Sequence, residues 1–373
     1  MNSIKKALFA LVICVAFAGC SEWREVESIN FGAVDMNATS KTEEDYAELR
    51  AWKATPGLPQ TFVWFDNWSG VSPTGENSLR GLPDSVTIAA NWGGHPKFNL
   101  SPERRADMEY VQKVKGTKVV VTLFSAKIGD DMPADTIYNV PANSSDETIV
   151  RPAIRKYAEA IYDAVVASGY DGYDWDYEPA GGGGSANYLW TNRTQRRIFV
   201  EELSYWFGKG SQRTQRDGRK PAKPGLLFLI DGEIGTGGRM DKNWVSYYVD
   251  YFVLQAYGTT TNSYISYRVS GVISDMSDWI SQGLITKEEV VRRTILTENF
   301  ESYADSGGGI LVQSSYVYSD AGSKQQIGGF GIYRVGFDYY HGADVKYNYN
   351  GSPEYYYLRR GISNLYRIFN ELK

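Results

Sequence analysis

The sequence predicts an α/β fold, a single (β/α)8 TIM barrel. Three observations carry that prediction. From about residue 57 onward, short apolar runs alternate with helical patterns, the order of βα units around a parallel sheet. Eight such runs occur, and several are near-continuously apolar, as when both faces of a strand are covered. A last amphipathic helix follows the eighth run and ends the chain. A doubly wound open sheet shares the alternation and stays the alternative.

The eight strands are predicted over 61–65, 86–90, 118–124, 172–177, 226–230, 251–256, 294–297 and 329–333. Ser101-Pro102 opens a helix with Pro at its first position, stopped by Gly116. Residues 148–168 carry Ile154, Tyr157, Ile161 and Val165 at helical spacing before Gly169, and 191–207 form another helix before Gly208. Thr286 with Glu289 makes a capping box ahead of Val290-Val291. Ser352-Pro353 starts the final helix, with Leu358, Ile362, Leu365 and Phe369 on one face.

Composition narrows the function. The 373 residues carry a net charge of −5, so no basic surface invites nucleic acid. Two His and two Cys leave little for a metal site. Aromatic residues are abundant, with 28 Tyr, 15 Phe and 10 Trp, which serves either packing or stacking on flat ligands such as sugars.

The N-terminus reads as an export signal. Lys5 and Lys6 precede an apolar run over 7–17 that is too short to span a bilayer, and Ala18-Gly19-Cys20 follows. This resembles a bacterial lipoprotein signal, in which the cysteine thiol is acylated; an ordinary cleaved signal is the alternative. The resulting division is a signal peptide over 1–19, lipidated Cys20 and a polar tether over 20–56, and the barrel over 57–373. Cleavage would remove Cys14, leaving Cys20 as the only cysteine and no intramolecular disulfide.

The most informative segment is Tyr170-Asp171-Gly172-Tyr173-Asp174-Trp175-Asp176-Tyr177-Glu178. On a strand, Asp174, Asp176 and Glu178 share one face, and Tyr173, Trp175 and Tyr177 share the other. In a barrel the aromatic face packs under helices and the acidic face points inward. Three acids there are costly as structure, because like charges in a low-dielectric site cannot all ionise. Glu178 comes last, at the C-terminal end where barrel active sites lie, and a carboxyl beside ionised Asp gains the raised pKa of a general acid. A calcium loop would need the turn-forming Gly, Asn or Ser that this segment lacks, and an exposed acidic strand would need less apolar flanks.

The segment resembles the Asp-x-x-Asp-x-Asp-x-Glu signature of glycoside hydrolase family 18, the chitinases and endo-β-N-acetylglucosaminidases, and it lies on the fourth predicted strand as in that family. The resemblance implies that Glu178 protonates the glycosidic oxygen. It implies that Asp176 orients the substrate's 2-acetamido group, and that Asp174 sits deeper and holds Asp176. The family is a substrate-assisted exception to the two-carboxylate scheme, so no enzyme nucleophile is required. Phe252-Val253-Leu254-Gln255-Ala256-Tyr257-Gly258 matches the family's sixth strand, where Tyr257 and Gln255 would contact the acetamido group. Candidates at other strand ends are Asp66, Asn91, Trp92 and Glu298, and Tyr333 stands nearest the position where the family often has a Trp floor. Trp64, Trp68 and Trp190 join these as stacking candidates. Gly181–Gly184, lacking a following Lys-Ser/Thr, is expected to be a loop at the site mouth.

Many chitinases of the family insert an α+β domain after the seventh strand, and the stretch from Thr297 to Gly329 is too short for one. The resemblance therefore implies a retaining endo-β-N-acetylglucosaminidase cutting the GlcNAc-β-1,4-GlcNAc core of N-glycans, without a cofactor. The alternatives are a chitinase and a non-catalytic glycan-binding lipoprotein. Expected partners are N-glycans or other GlcNAc-containing glycans, and the outer membrane through the lipid anchor. The expected place is the cell surface, as for lipoproteins of gut Bacteroidetes, with the periplasmic face as the alternative. The expected oligomeric state is a monomer.

Overall fold

The computed structural model describes residues 41–373 except 94–96, 134–137, 139, 181–185, 236–245, 321 and 340–353. The chain divides into residues 1–38 and 39–373. The signal peptide, Cys20 and the Gly181–Gly184 run lie outside the described residues.

Eight parallel strands close into the expected barrel: β1 (Gln60–Phe65), β2 (Ile88–Asn91), β3 (Lys118–Leu123), β4 (Gly172–Tyr177), β5 (Leu227–Gly232), β6 (Tyr251–Gln255), β7 (Thr294–Asn299) and β10 (Gly329–Tyr333). β10 pairs with both β7 and β1, which closes the ring and excludes the open sheet. Between them, β8 (Val317–Asp320) and β9 (Ser323–Gln326) form a separate antiparallel hairpin that the sequence reading missed. That hairpin and two one-turn helices, Phe300–Tyr303 and Ile310–Gln313, make up the connection from β7 to β10.

Side-chain alternation sorts the core into two compartments. Phe62, Trp64, Ile88, Ala90, Val120, Leu229, Val253 and Ile295 fill the barrel lumen. The opposite parity faces the helices, and there Tyr173, Trp175 and Tyr177 are fully buried, as expected. Trp175 meets Phe199 edge-on at 5.1 Å, and Phe199 stacks on Tyr157. Gly172 begins β4 because strand β5 runs too close for a side chain: a Cβ there would lie 2.5 Å from the Leu227 carbonyl oxygen.

The helices follow local chemistry. Helix Pro102–Tyr110 is capped by the Ser101 side chain and continues as a π-helical turn, Val111–Lys115, to left-handed Gly116. Helix Glu147–Ser168 runs from Asp146 to left-handed Gly169. The single helix expected over 191–207 is instead two, Tyr188–Thr191 and Arg193–Leu203. Asn192 adopts an extended conformation and accepts from Thr194 and Gln195 N–H, which starts the second helix. Thr286 accepts from Glu289 N–H ahead of helix Lys287–Arg292. Helix Asn262–Asp275 was not foreseen.

The stretch expected to be tether up to residue 56 contains helix Glu43–Lys53, which is fastened to the barrel. Trp52 packs edge-on against Tyr366 at 4.7 Å, and Lys53 donates to the Val86 carbonyl and Thr117 Oγ1. The folded unit therefore begins before residue 57. Among the described residues no helix is long and apolar enough to cross a membrane.

Candidate active site

Strand β4 presents its acids to the lumen, and its neighbours receive them. Asp174 Oδ2 accepts from Thr122 Oγ1 at 2.7 Å and Trp64 Nε1 at 3.2 Å. One step up, Asp176 lies in register with Asp231 of β5. Both aspartates of β4 and Asp231 are buried. One oxygen of each (Asp174 Oδ1, Asp176 Oδ1, Asp231 Oδ2) has no hydrogen-bond partner of its own. Asp231, a single acid at the end of the apolar run of β5, is the third member of the cluster.

Glu178 tops the column, half-buried at the mouth. Gln255 Nε2 of β6 donates to Glu178 Oε1 at 2.7 Å and lies 3.3 Å from Asp231 Oδ1. One amide thus ties the outermost acid to the layer of Asp176 and Asp231 beneath it.

Burial dominates the electrostatics. It pushes the Asp174 carboxyl up to about 6, while Thr122, Asp231 and Trp64 act in the opposite direction. Asp176 is raised well above the usual range by burial, then by the charges of Glu178 and Asp174. Asp231 is raised well above it too, by burial and by Asp174 and Asp176. Burial and mutual repulsion thus push all three carboxyls toward their neutral forms, and their titrations are linked. Lys97, in the loop after β2, lies close enough to feel Asp131, Asp176 and Asp174, and burial brings its ammonium down to about 8. Nothing in the sequence singled Lys97 out, because its loop position has no periodicity to read.

The far wall is aromatic. Tyr333, ending β10, is met edge-on by Trp92 at 4.8 Å and by Trp64 at 6.1 Å. Tyr257 stacks on it at 6.0 Å. The Tyr257 hydroxyl is pushed well up by burial and by the charges of Asp231, Asp176 and Glu178, so it shares the acids' enclosure. Tyr257, Gln255, Trp92 and Tyr333 thus lie around the column.

Strand parity turns Asn91 and Glu298 away from the lumen. Asn91 has the opposite parity to lumen residues Ile88 and Ala90; it is buried, and its Nδ2 donates to the Tyr170 hydroxyl at 2.6 Å. Glu298 likewise has the opposite parity to Ile295. Its fully buried carboxylate accepts the N–H groups of Gly258, Asn299 and Gly309, so it fastens the loops after β6 and β7. Asp66 is ion-paired to Arg334, with 3.0 Å to Nε, and only its Oδ1 lacks a partner. Trp64, Trp68 and Trp190 are buried and have no ring face for a sugar. Among the described residues no group of three His, Cys, Asp or Glu is arranged to hold a metal ion.

An eight-stranded barrel with a column of carboxyls at the C-terminal end of β4, facing an aromatic floor, defines a glycoside hydrolase type of site. The chain belongs to glycoside hydrolase family 18: the model of its BT1044-like branch matches residues 24–363. A solved selenomethionine form of a Glu-to-Gln variant of BT1044 is 25% identical, with a TM-score of 0.65 over 90% of this chain and 96% of that one. An endo-β-N-acetylglucosaminidase from Cordyceps militaris, solved without ligand, is 15% identical, with a TM-score of 0.57 over 89% of this chain and 99% of that one. A doubly substituted form of that enzyme, in complex with fucosyl-N-acetylglucosamine-Asn, is 14% identical, with a TM-score of 0.54 over the same shares. No curated protein matches the chain.

Proposed function

We propose that the protein is a retaining endo-β-N-acetylglucosaminidase that hydrolyses the GlcNAc-β-1,4-GlcNAc core of N-glycans. The observation that carries this reading is the Gln255 bridge between Glu178 and Asp231, beside Tyr257 and directly above Asp176. It supports one half-buried acid at the mouth over buried aspartates, the division of labour that substrate-assisted cleavage needs.

In this reading the Glu178 carboxylic acid donates its proton to the glycosidic oxygen as the C1–O bond breaks. The carbonyl oxygen of the substrate's own 2-acetamido group closes on C1, forming an oxazolinium ion. Asp176 accepts the acetamide N–H and offsets the positive charge, and the Tyr257 hydroxyl donates to the acetamido oxygen. Water then attacks C1 as the ring bond from C1 to the acetamido oxygen breaks and the Glu178 carboxylate takes up the water's proton, which regenerates the acetamide and the acid with net retention. Thr122 and Trp64 hold Asp174 in place beneath. The short connection from β7 to β10 supports a cleft open to a branched, protein-linked glycan rather than a walled chitin groove. In the same reading, acylated Cys20 anchors the enzyme to the outer membrane, with the barrel at the cell surface.

The test is to incubate the full chain, and its Glu178→Gln variant, with a high-mannose glycoprotein, a complex-type glycoprotein and chitin oligomers. Glycan release that leaves one GlcNAc on the protein, abolished in the variant, is expected. Cleavage of chitin oligomers alone would select a chitinase instead. Glycan binding without cleavage by the parent would make it a binding protein, and full activity in the variant would remove Glu178 from the acid role.

A further inference from the structure

We infer that Phe124 is the stacking platform for the sugar ring next to the one whose bond is cut, so that this residue sets how much oligosaccharide the cleft grips. The inference rests on the glycan-hydrolase reading above and extends it to a residue outside the acid column and its aromatic floor.

Phe124 directly follows β3, whose lumen face runs through Val120 and Thr122. Thr122 hydrogen-bonds Asp174, so the next residue of that face stands at the mouth, beside the strand that ends in Glu178. The ring is 49% exposed, whereas the residues flanking it on β3 and in the following turn are buried. A hydrophobic ring left in water at a barrel mouth forgoes burial, and this one is held there by an unusual amount of surrounding structure.

Its carbonyl oxygen accepts two indole N–H groups, Trp175 Nε1 and Trp190 Nε1, each at 3.1 Å. The next residue, Ser125, takes a left-handed conformation with φ +38, uncommon for a residue with a side chain. Its hydroxyl in turn hydrogen-bonds the Tyr157 and Tyr173 hydroxyls, at 2.9 and 2.8 Å. Four aromatic side chains from three elements therefore fix the Phe124 carbonyl and the Ser125 hydroxyl. The Trp190 ring supports the Phe124 ring from behind at 6.0 Å, tilted by 60°. A turn this constrained with an exposed aromatic face is a preorganised contact surface, not a frayed strand end.

The chemistry of that contact follows from its setting. The aromatic floor centres on Tyr333 at the end of β10, across the barrel from β4, and we assign the ring at the cut bond to it. Phe124 offers no hydrogen-bonding group, so what it recognises is the apolar C–H face of a pyranose. It would therefore favour an equatorially substituted sugar such as GlcNAc over a flexible or anionic group.

The test uses the full chain carrying Glu178→Gln, so that ligands are bound without turnover. Titration calorimetry would compare an intact high-mannose glycopeptide, a complex-type glycopeptide and chitotetraose, each against the single sugar GlcNAc. Phe124→Ala is expected to weaken oligosaccharide binding by about five- to tenfold. GlcNAc, which the floor alone accommodates, should bind within twofold of the parent. Phe124→Tyr and Phe124→Trp should restore the affinity, whereas Phe124→Leu, which keeps apolar bulk but has no ring face, should not. Because the two indoles and two phenols hold backbone and Ser125 atoms, these exchanges leave the clamp intact, and circular dichroism would confirm it. Unchanged oligosaccharide affinity in Phe124→Ala, or full rescue by Leu, would overturn the inference and leave the hydrolase reading standing. A parent that binds none of the three oligosaccharides would overturn both.

Discussion

Replacing Asp174 with Asn is expected to make the protein more stable and less active. In the folded chain burial holds the Asp174 carboxyl up to about 6, against 3.8 for the unperturbed group. The native state therefore binds this proton more tightly than the unfolded state does. The associated stability is fully present below about pH 4 and is lost as pH rises through about 6. A gap of about two units corresponds to about 3 kcal/mol at pH 7 and above. That figure is a ceiling, because the titration of Asp174 is linked to those of Asp176 and Asp231. The amide keeps the shape, accepts the Trp64 and Thr122 hydrogen bonds on its oxygen, and has no charge to bury. Urea unfolding followed by tryptophan fluorescence at pH 4, 5.5 and 7.5 measures the difference. The variant should match the parent at pH 4 and exceed it increasingly up to pH 7.5, where about 3 kcal/mol would raise the melting temperature by about 4 °C. Hydrolysis should fall at least about tenfold, as Asp176 loses the charge of its acidic neighbour. A stability difference that is independent of pH, or a variant less stable than the parent at pH 7.5, would refute the argument that Asp174 is held against its own burial.

Three further outcomes can be checked. Gln255→Leu removes the donor to Glu178 and Asp231, so kcat should drop by about 10- to 100-fold while the melting temperature moves little, read from steady-state rates and calorimetry. Glu298→Ala leaves three loop N–H groups without their acceptor and should destabilise the fold by about 3 kcal/mol or more, visible in chemical denaturation. Lys97→Met removes a positive charge that lowers both Asp174 and Asp176; their carboxyls rise further, and the acid limb of the pH–rate profile should move to higher pH.

Where the sequence was silent or misleading, the cause can be named. Asn91 and Glu298 stand at strand ends, which made them candidates, but each lies one residue out of phase with the lumen. A one-residue shift reverses a side chain's direction, and a short strand bordered by loops does not reveal its phase. Asp231 had the correct parity, yet alone on its strand it looked like any polar terminus. Only register pairing with Asp176 makes it part of the cluster. Phe124 read as the last residue of an apolar strand. Its exposure follows from the left-handed turn at Ser125, which is held by tyrosines 32 and 48 positions away in the chain.

The sequence by itself determined the barrel, its eight strands and the acid column of β4. Hydrophobic periodicity and the two-residue spacing of Asp174, Asp176 and Glu178 are local properties, written within a few residues of each other. Tertiary structure alone decided which other side chains meet that column. Gln255 reaches Glu178 across 77 positions, and Trp64 reaches Asp174 across 110. Contacts of that span depend on strand order and barrel closure, which no local pattern encodes.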